Sequence, residues 1–505
     1  MNTFDWFGKW NIYNPSKVAV EEYETRRTLT YGQVHQLASY LAQWLMEKKK
    51  LSKGDRIAVL AGNCLEYVAL FAAAQKTGLI LVPLNYRLTA RETDFLISDS
   101  SPSMVIYDEK YSDKLKDSFH FKRIDHTATL NEFSQFCQDF LSTENSIEFE
   151  NIPFDENHPL FIIYTSGTTA FPKGSVYTHK MLLWNALNTE IRLDITSEDR
   201  SINCAPPFHT GSWNVLMTPF FLHGAYTLLM RGFNADAILE AIEKEKMTIF
   251  WGVPTMLKMM SDSPVFEKAR LDSMRYIIVG GEAMPIPLIE LWHNRKIAIR
   301  QGYGLTEVGP NVTSLNHSDA IRKQGSIGTP NFFYEVKLVD EKGEEQKGAA
   351  TGELLLKGPN VTPGYWNNSE ATREAIKDGW FHTGDRVRRD EEGFLFVVDR
   401  IKNMYISGGE NVYPAEVEYL LRQHPGIDQA VITGVPDTKW GETGKAFIVV
   451  KKNNQLTKEQ IWEYCRKNLA KYKIPGHVVF LDEMPKNDAG KIDRKKLKDF
   501  NPANE

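Results

Sequence analysis

The chain has 505 residues, a hydrophobic content of 42% and a formal net charge of −5, values typical of a globular protein with several domains and large apolar cores. The negative charge gives no electrostatic reason to expect a nucleic acid as partner, and no apolar run has the length of a transmembrane segment. The N-terminus lacks the pattern of a signal peptide. Four scattered cysteines, without a zinc-like spacing, favour a reducing compartment, so we expect a cytoplasmic protein.

The N-terminal region alternates predicted helices and strands. Thr30 and Gln33 have the spacing of a capping box and precede an apolar stripe with helical period. Strands are predicted at residues 56–60 and 79–84, with a helix at 64–76 between them. The same rhythm recurs near residue 280. A β-α-β rhythm predicts mostly parallel sheets covered by helices, and therefore an α/β fold.

The pattern changes in the last third of the chain. Between about 325 and 400, short apolar runs separated by glycine turns predict an antiparallel, β-barrel-like unit. After Arg400, a smaller mixture of helices and strands begins, with its first helix predicted at 414–423. We therefore predict a large N-terminal domain at 1–400 and a small C-terminal domain at 401–505.

Three glycine-rich segments follow predicted strands, where parallel sheets tend to bind ligands. They are YTSGTTAFPKGS (164–175), VGGEAMP (279–285) and QGYGLTEVG (301–309). The first offers backbone N–H groups, hydroxyls and the ammonium group of Lys173, which are the donors that phosphate oxygens accept. It is not a Walker P-loop, because Lys173 precedes Gly174 instead of following it. Taken alone, the segment is compatible with a phosphate site or with an ordinary loop.

The motifs together resemble the signature series of the adenylate-forming enzymes, which are acyl- and aryl-CoA synthetases, amino-acid adenylation domains and beetle luciferases. The series continues with GELLLKGPNVTPGYW, GWFHTGD, DRIKNMYISGGENVYPAEVE and PKNDAGK. The segments ISGGENVYPAEVE and VPDTKWGE resemble fatty-acyl- and aryl-CoA ligases in particular. Two positions depart from the family pattern, Ala170 in place of glycine and Asn403 in place of an acidic residue.

The resemblance implies that the chain transfers AMP from ATP to a carboxylic acid and then passes the acyl group to the thiol of CoA. A site that brings anionic ATP to an anionic acid must supply positive charge and fixed donors. The implied phosphate ligands are Thr165, Ser166, Gly167, Thr168, Thr169 and Lys173. Thr306 is implied for the α-phosphate, Glu307 for Mg²⁺ and Lys491 for the adenylation step itself. The implied adenosine contacts are Gly281, Glu282, Ala283, Tyr303, Gly304, Asp385 and Arg400.

The resemblance also implies a rotation of the small domain between the two half-reactions, about a hinge at Lys402. Lys491 would face the site before the rotation. Afterwards Gly408 and Gly409 would line the channel for the pantetheine arm of CoA, where the absence of a side chain suits a narrow passage.

The identity of the acid is less determined. In the segment PPFHTGSWN (206–214), His209 matches the gate near the substrate carboxylate, where amino-acid adenylation domains have an aspartate. A buried ammonium group without that partner would be costly, so a free amino acid is not expected. The acyl-pocket residues implied are His209, Trp213, Gly281, Gly302 and Val308.

An uncharged apolar tail fits best, with medium- or long-chain fatty acids ahead of benzoate-, cinnamate- or o-succinylbenzoate-type aryl acids. The alternatives are an enzyme that loads a carrier protein and a non-catalytic member of the fold. Peripheral membrane contact is compatible with a fatty-acyl substrate, and the sequence does not determine the oligomeric state.

Overall fold

A computed structural model of the chain describes residues 4–143, 145–165, 171–281, 284–400, 404–451, 454–485, 492 and 494–500, without the side chains of Asp399, Arg400, Ala415, Lys495 and Asp499. The described strands of the first 400 residues are β1 (Val18–Glu22), β2 (Thr28–Thr30), β3 (Arg56–Leu60), β4 (Ile80–Pro83), β5 (Met104–Tyr107), β6 (His126–Thr129), β7 (Pro159–Thr165), β8 (Lys173–Thr178), β9 (Arg200–Asn203), β10 (Tyr226–Leu229), β11 (Ile249–Gly252), β12 (Tyr276–Val279), β13 (Ala298–Tyr303), β14 (Thr313–Ser314), β15 (Thr329–Pro330), β16 (Glu335–Val339), β17 (Glu345–Gln346), β18 (Ala350–Lys357), β19 (Ile376–Lys377), β20 (Trp380–Arg389) and β21 (Leu395–Arg400). They are followed by β22 (Tyr405–Ser407), β23 (Glu410–Val412), β24 (Ile427–Asp437), β25 (Gly441–Val450) and β26 (His477–Phe480).

The described helices are α1 (Trp6–Tyr13), α2 (Tyr31–Gln43), α3 (Leu65–Thr77), α4 (Ala90–Ser100), α5 (Leu130–Leu141), α6 (His179–Leu193), α7 (Thr218–His223), α8 (Ala235–Lys244), α9 (Pro254–Asp262), α10 (Ile286–Asn294), α11 (Ser369–Ala375), α12 (Pro414–Arg422), α13 (Lys458–Asn468) and α14 (Arg494–Asp499). Among the described residues, no helix has the length and apolar character needed to cross a membrane. The predicted capping box of Thr30 and Gln33 at the start of α2 is confirmed. The same device begins α4, α5 and α13, where it satisfies N–H groups that the first helical turn leaves unpaired.

Two mostly parallel sheets form the N-terminal part of the described chain. One has the strand order β6-β5-β3-β4-β7-β8, and we call it the N-terminal sheet; the other has the order β15-β14-β13-β12-β11-β9-β10-β1-β2, and we call it the central sheet. β8 pairs antiparallel with β7, whereas β3, β4, β5 and β6 run parallel. This arrangement confirms the predicted α/β class.

Helix α3 lies in the core that these two sheets share. All of its residues are buried, including Lys76, and its surroundings include Ile57 of the N-terminal sheet and Val20 of the central sheet. The Lys76 ammonium group pairs with Asp5 at 2.6 Å. Burial alone would raise the pKa of Asp5, but Lys76 holds it below its ordinary value. The pair therefore keeps two buried charges compensated.

The predicted antiparallel unit is confirmed between residues 335 and 400. Strands β16 to β21 form a sheet of order β17-β16-β18-β20-β19, with β21 paired to β20. A separate C-terminal sheet begins at Tyr405 and has the order β23-β22-β25-β24, with β26 parallel to β25. The domain boundary near residue 400 stays a prediction, as does the hinge at Lys402, which lies outside the described residues.

Candidate active site

A cavity of about 510 Å³ opens at the carboxyl ends of β7, β12 and β13. Its wall combines the ends of these strands with residues 408–411 of the C-terminal sheet. Of the residues implied by the motif series, the structure brings these to the cavity wall: Thr165, His209, Gly281, Gly302, Gly304, Thr306, Glu307, Gly408 and Gly409. Positions far apart in the sequence therefore meet at one sheet edge, as expected for a parallel sheet.

The segment that opened the motif series connects two antiparallel strands. Thr165 ends β7, Lys173 begins β8, and the two residues are directly opposite in the pairing. A Walker P-loop leads from a strand into a helix, so this hairpin explains why the lysine has a different position. The predicted ligands Ser166, Gly167, Thr168 and Thr169, together with Ala170, lie outside the described residues.

Glu307 has two hydroxyl neighbours at the cavity wall. Its carboxylate accepts a hydrogen bond from Tyr365 at 2.9 Å and one from Thr165 at 3.3 Å. Burial, assisted by the Glu307 charge, raises the pKa of Tyr365 far above its ordinary value, so the phenol keeps its proton and remains a donor. The Lys173 ammonium group lies 5.5 Å from the centroid of the same ring. Tyr365 was not among the predicted site residues, although its motif, TPGYW, belongs to the signature series.

The predicted adenosine residues lie beside this wall. The Tyr303 hydroxyl donates to Asp385 at 2.5 Å, and Asp385 is directly opposite Arg400 in the pairing of β20 with β21. The structure thus joins three predicted residues from separate motifs. Glu282 and Ala283 lie outside the described residues, and the side chain of Arg400 is not described.

His209 contacts the loop of residues 408–410, in the C-terminal part of the chain. Its Nε2 atom lies 3.0 Å from Oε1 of Glu410, and Arg87 pairs with the same oxygen. Burial alone would raise the pKa of Glu410, but the charge and hydrogen bond of His209, together with Arg87, hold it below its ordinary value. Gly408 and Gly409, which precede this carboxylate, have φ of +60° and +79°, a region that strongly favours glycine. Arg87 has no sequence signal of its own.

Two predicted acyl-pocket residues do not line the cavity. Trp213 is 1% exposed and packs against the rings of Phe71 and Phe161. Its indole N–H donates to the Pro207 carbonyl at 2.9 Å. Val308 is fully buried in the core formed with the antiparallel sheet. Both side chains are turned into packed cores, so the apolar wall of the cavity has other members.

The apolar residues that do line the cavity include Val215, Phe233, Trp251, Val253, Met256, Met259 and Ile278. Together with Gly281 and Gly302, they form the part of the cavity in which an apolar tail could lie. The predicted adenylation lysine, Lys491, lies outside the described residues. A different lysine, Lys473, reaches the cavity wall and forms ion pairs with Glu92 and Glu416.

Comparison with known proteins agrees with this architecture. The AMP-binding enzyme family matches residues 9–366, and the AMP-binding enzyme C-terminal domain matches residues 416–491. The chain is 35% identical to a feruloyl-CoA synthase of Amycolatopsis sp, across 96% of this chain and 97% of that protein. It is 37% identical to a long-chain-fatty-acid–CoA ligase of Mycobacterium tuberculosis, across 95% of this chain and 94% of that one.

The solved structures of the o-succinylbenzoate CoA synthetase from Bacillus subtilis are similar to the chain at 30% identity, with 98% of each chain covered. The structure of a double mutant bound with its product analogue OSB-NCoA superimposes with a TM-score of 0.87. The complex with AMP superimposes with a TM-score of 0.72. In this family, AMP or ATP and CoA are the common ligands. The chain therefore belongs to the AMP-binding enzyme family of adenylate-forming enzymes and is an AMP-forming acid–CoA ligase.

Proposed function

We propose that this chain joins a carboxylic acid with an uncharged, apolar tail to CoA through an acyl-adenylate, using one cavity for both half-reactions. The observation that supports this most is the composition of the cavity wall. Thr165, Thr306 and Glu307 line the same cavity as the Gly408–Gly409 loop. Groups suited to ATP and groups suited to the pantetheine arm thus share one space.

The first half-reaction needs donors for the phosphates and a cation between them. Lys173 and Thr165, at the base of the hairpin, would hold the β- and γ-phosphates together with the loop residues 166–169, and Thr306 the α-phosphate. Mg²⁺ usually binds proteins through one or two carboxylates, with phosphates and water as its other ligands. The Glu307 carboxylate, which faces the cavity between two hydroxyl groups, fits that role. When bound, the ion would neutralise phosphate charge.

The remaining residues would position the reacting groups. Tyr303, Gly304 and Asp385 would hold the adenosine, with Gly281, Glu282 and Ala283 behind the base and Arg400 near the ribose. Lys491 would bridge the substrate carboxylate and the α-phosphate. AMP transfer forms the carboxyl–phosphate bond and breaks the bond to pyrophosphate. In the second half-reaction, the CoA sulfur forms the thioester bond, and AMP leaves.

We further propose that the described arrangement is the thioester-forming one. The Gly408–Gly409 loop lines the cavity, and Glu410 pairs with His209 at 3.0 Å. The TM-score is larger against the o-succinylbenzoate CoA synthetase bound with its CoA product analogue than against the same enzyme with AMP, which supports the thioester-forming arrangement. A rotation about Lys402, with residues 401–505 as the moving domain, would then bring Lys491 to the site for adenylation.

The cavity also supports a tail without a positive charge. Among the described residues of its wall, the acidic groups are Glu307 and Glu410, and both have partners in the structure. Neither is placed in the apolar part to pair with a substrate ammonium group. Medium- or long-chain fatty acids and aryl acids both satisfy this condition. The four cysteines are free and buried, which is compatible with the proposed cytoplasmic location.

The test is incubation of the protein with ATP, Mg²⁺, CoA and a panel of fatty and aryl acids, with acyl-CoA and AMP measured together. We expect both products in equal amounts. AMP without acyl-CoA would contradict the proposal and favour the loading of a carrier protein, and no product at all would favour a non-catalytic protein.

The division of roles is tested by Lys491→Ala, with Lys498→Ala, on the exposed face of α14, as matched control. Lys491→Ala should abolish adenylate formation and spare thioester formation from supplied acyl-adenylate. An equal loss of both half-reactions would contradict the assignment of Lys491.

A further inference from the structure

Trp251 separates the main cavity from a second, much smaller one. The indole lines the main cavity of about 510 Å³ and also a buried cavity of about 10 Å³. Gly211, which follows the His209 gate by two residues, lines both cavities as well. The small cavity has a mixed lining, with the polar residues Ser201, Asn203, Ser212 and Thr227 beside the apolar residues Ile202, Leu216 and Met217.

The backbone holds the indole in this position. A Cβ atom on Gly211 would lie 2.6 Å from Cη2 of Trp251, so the ring packs directly on a residue that has no side chain. On the strand side, Ile249 is opposite Ser201 in the pairing of β11 with β9. Because side chains alternate along a strand, Trp251 shares the sheet face of Ile249 and Ser201.

The small cavity is unfavourable for an alkyl chain. The hydroxyl groups of Ser201 and Thr227 are buried and have no hydrogen-bond partner among the described residues, and the two residues are opposite each other in the pairing of β9 with β10. A cavity of about this size has room for roughly one water molecule, and these two hydroxyl groups are partners that such a water would need. An alkyl chain reaching this point would have to displace the indole and leave two hydroxyl groups unsatisfied, which carries a free-energy cost.

The wall on the near side suits a planar group. The indole lies close to Gly211, and a Cβ atom on Gly280 would lie 3.8 Å from its Nε1 atom. Gly302, on the neighbouring strand, also lines this space. A flat ring bordered by glycines leaves a slot in which an aromatic ring can stack on the indole.

We propose that Trp251 closes the far end of the acid pocket, so that the chain takes aryl or arylalkanoic acids with a tail about one ring long and excludes long-chain fatty acids. This inference rests on the proposed function, because the main cavity must be the acid site. It narrows the two acid classes to one and assigns the specificity to a residue outside the signature motifs. Removing the indole joins the two cavities and lengthens the pocket.

The test compares kcat/KM for acyl-CoA formation with phenylacetate, cinnamate, octanoate, dodecanoate and hexadecanoate. The wild type should prefer the two aryl acids over dodecanoate by about tenfold or more, the discrimination available from an apolar pocket that excludes methylene groups. Trp251→Ala should raise the ratio of dodecanoate to phenylacetate by about tenfold, since each buried methylene contributes several-fold.

Trp213→Phe serves as the control, and Gly211→Ala is a second test of the Trp251 position. Trp213→Phe removes an indole of the core and should leave the ratio unchanged. Gly211→Ala forces the Trp251 ring to move, and it should lower kcat/KM for cinnamate more than for octanoate. If Trp251→Ala fails to fold, Trp251→Phe is measured, with an intermediate shift expected.

The possible failures are distinguishable. If the wild type converts hexadecanoate as well as phenylacetate, or if Trp251→Ala leaves the ratio unchanged, the partition is wrong and the ligase proposal stands. If the wild type forms no acyl-CoA from any acid, the proposed function itself is wrong.

Discussion

The Lys473 ammonium group lies 2.7 Å from the Glu92 carboxylate, and this contact joins helix α4 of the N-terminal region to the C-terminal part of the chain. Glu416 of α12 pairs with the same ammonium group at 2.7 Å. Burial alone would lower the pKa of Lys473, but the negative charges around it, chiefly that of Glu416, hold it well above its ordinary value. A buried cation that needs carboxylates from both parts favours the arrangement that brings them together.

Glu92→Gln should therefore weaken the proposed thioester-forming arrangement. Glutamine still serves as the third residue of the α4 capping box, so the substitution removes the charge and keeps the helix start. We expect acyl-CoA formation from supplied acyl-adenylate to fall about tenfold, equivalent to ~1.4 kcal/mol, with ATP–pyrophosphate exchange unchanged.

The matched control is Glu132→Gln, because Glu132 has the same capping role at the start of α5. It should change neither half-reaction. If Glu92→Gln lowered ATP–pyrophosphate exchange and acyl transfer to CoA equally, Glu92 would have a general structural role and would not act on the domain arrangement.

Tyr365→Phe tests the surroundings of Glu307. The phenol donates to this carboxylate at 2.9 Å, and a hydrogen bond to a charged group contributes about 1.5–3 kcal/mol. Removing it should lower kcat/KM for MgATP in pyrophosphate exchange by about tenfold or more. Transfer from supplied acyl-adenylate should not change. Tyr13→Phe, at an exposed position, is the control, and a loss confined to the transfer step would contradict the role given to Tyr365.

Gly304→Ala tests a close backbone approach in the predicted adenosine site. A Cβ atom there would lie 2.1 Å from the Pro310 carbonyl oxygen, so the loop of residues 304–310 must move. Such overpacking costs about 1–3 kcal/mol, and we expect a lower Tm together with loss of pyrophosphate exchange. Gly232→Ala is the control, because a Cβ atom there would meet nothing within 4 Å. An active, fully stable Gly304→Ala enzyme would show that the loop adapts.

Much of the fold is predictable from local sequence. The apolar residues 276–279, which precede Gly280, coincide with strand β12. A strand that is buried on both faces has such a continuous apolar sequence. Capping boxes mark the starts of helices for a similar reason, because the two side chains concerned are close in the sequence. The motif residues that line the cavity are predictable in the same way, from segments that each lie at one strand end or in one loop.

Contacts between distant segments are not predictable in this way. Arg87 and Glu410 meet across more than 300 positions, and the orientation of the C-terminal part decides whether they touch. Trp213 and Trp251 show the same limit within the acid pocket. Trp213 belongs to the gate segment, and Trp251 packs on Gly211 of that segment. Only the pairing register and the helix orientation determine which ring faces the cavity.

Glu190→Gln tests a pH dependence that is unrelated to the signature motifs. Burial within the fold raises the pKa of Glu190 from 4.5 to about 7. His223 lies 3.4 Å away, but burial lowers its pKa, so at neutral pH the imidazole is uncharged and does not hold the carboxylate ionised. Between pH 4.5 and about pH 7, the carboxyl group of Glu190 keeps its proton in the folded state and has lost it in the unfolded state. The contribution of Glu190 to stability is thus present below pH 4.5 and is lost as the pH rises to about 7, by about 3 kcal/mol in total.

Glutamine cannot ionise, so the Tm of Glu190→Gln should rise relative to the wild type as the pH increases from 5 to 8. Glu198→Gln, at a side chain that is 88% exposed, should follow the wild type throughout. The measurement is calorimetric Tm of the three proteins at both pH values. The Tm difference between Glu190→Gln and the wild type depends on pH only if the fold keeps the Glu190 carboxyl group neutral. The same Tm difference at pH 5 and pH 8 would therefore show that Glu190 is ionised in the folded state.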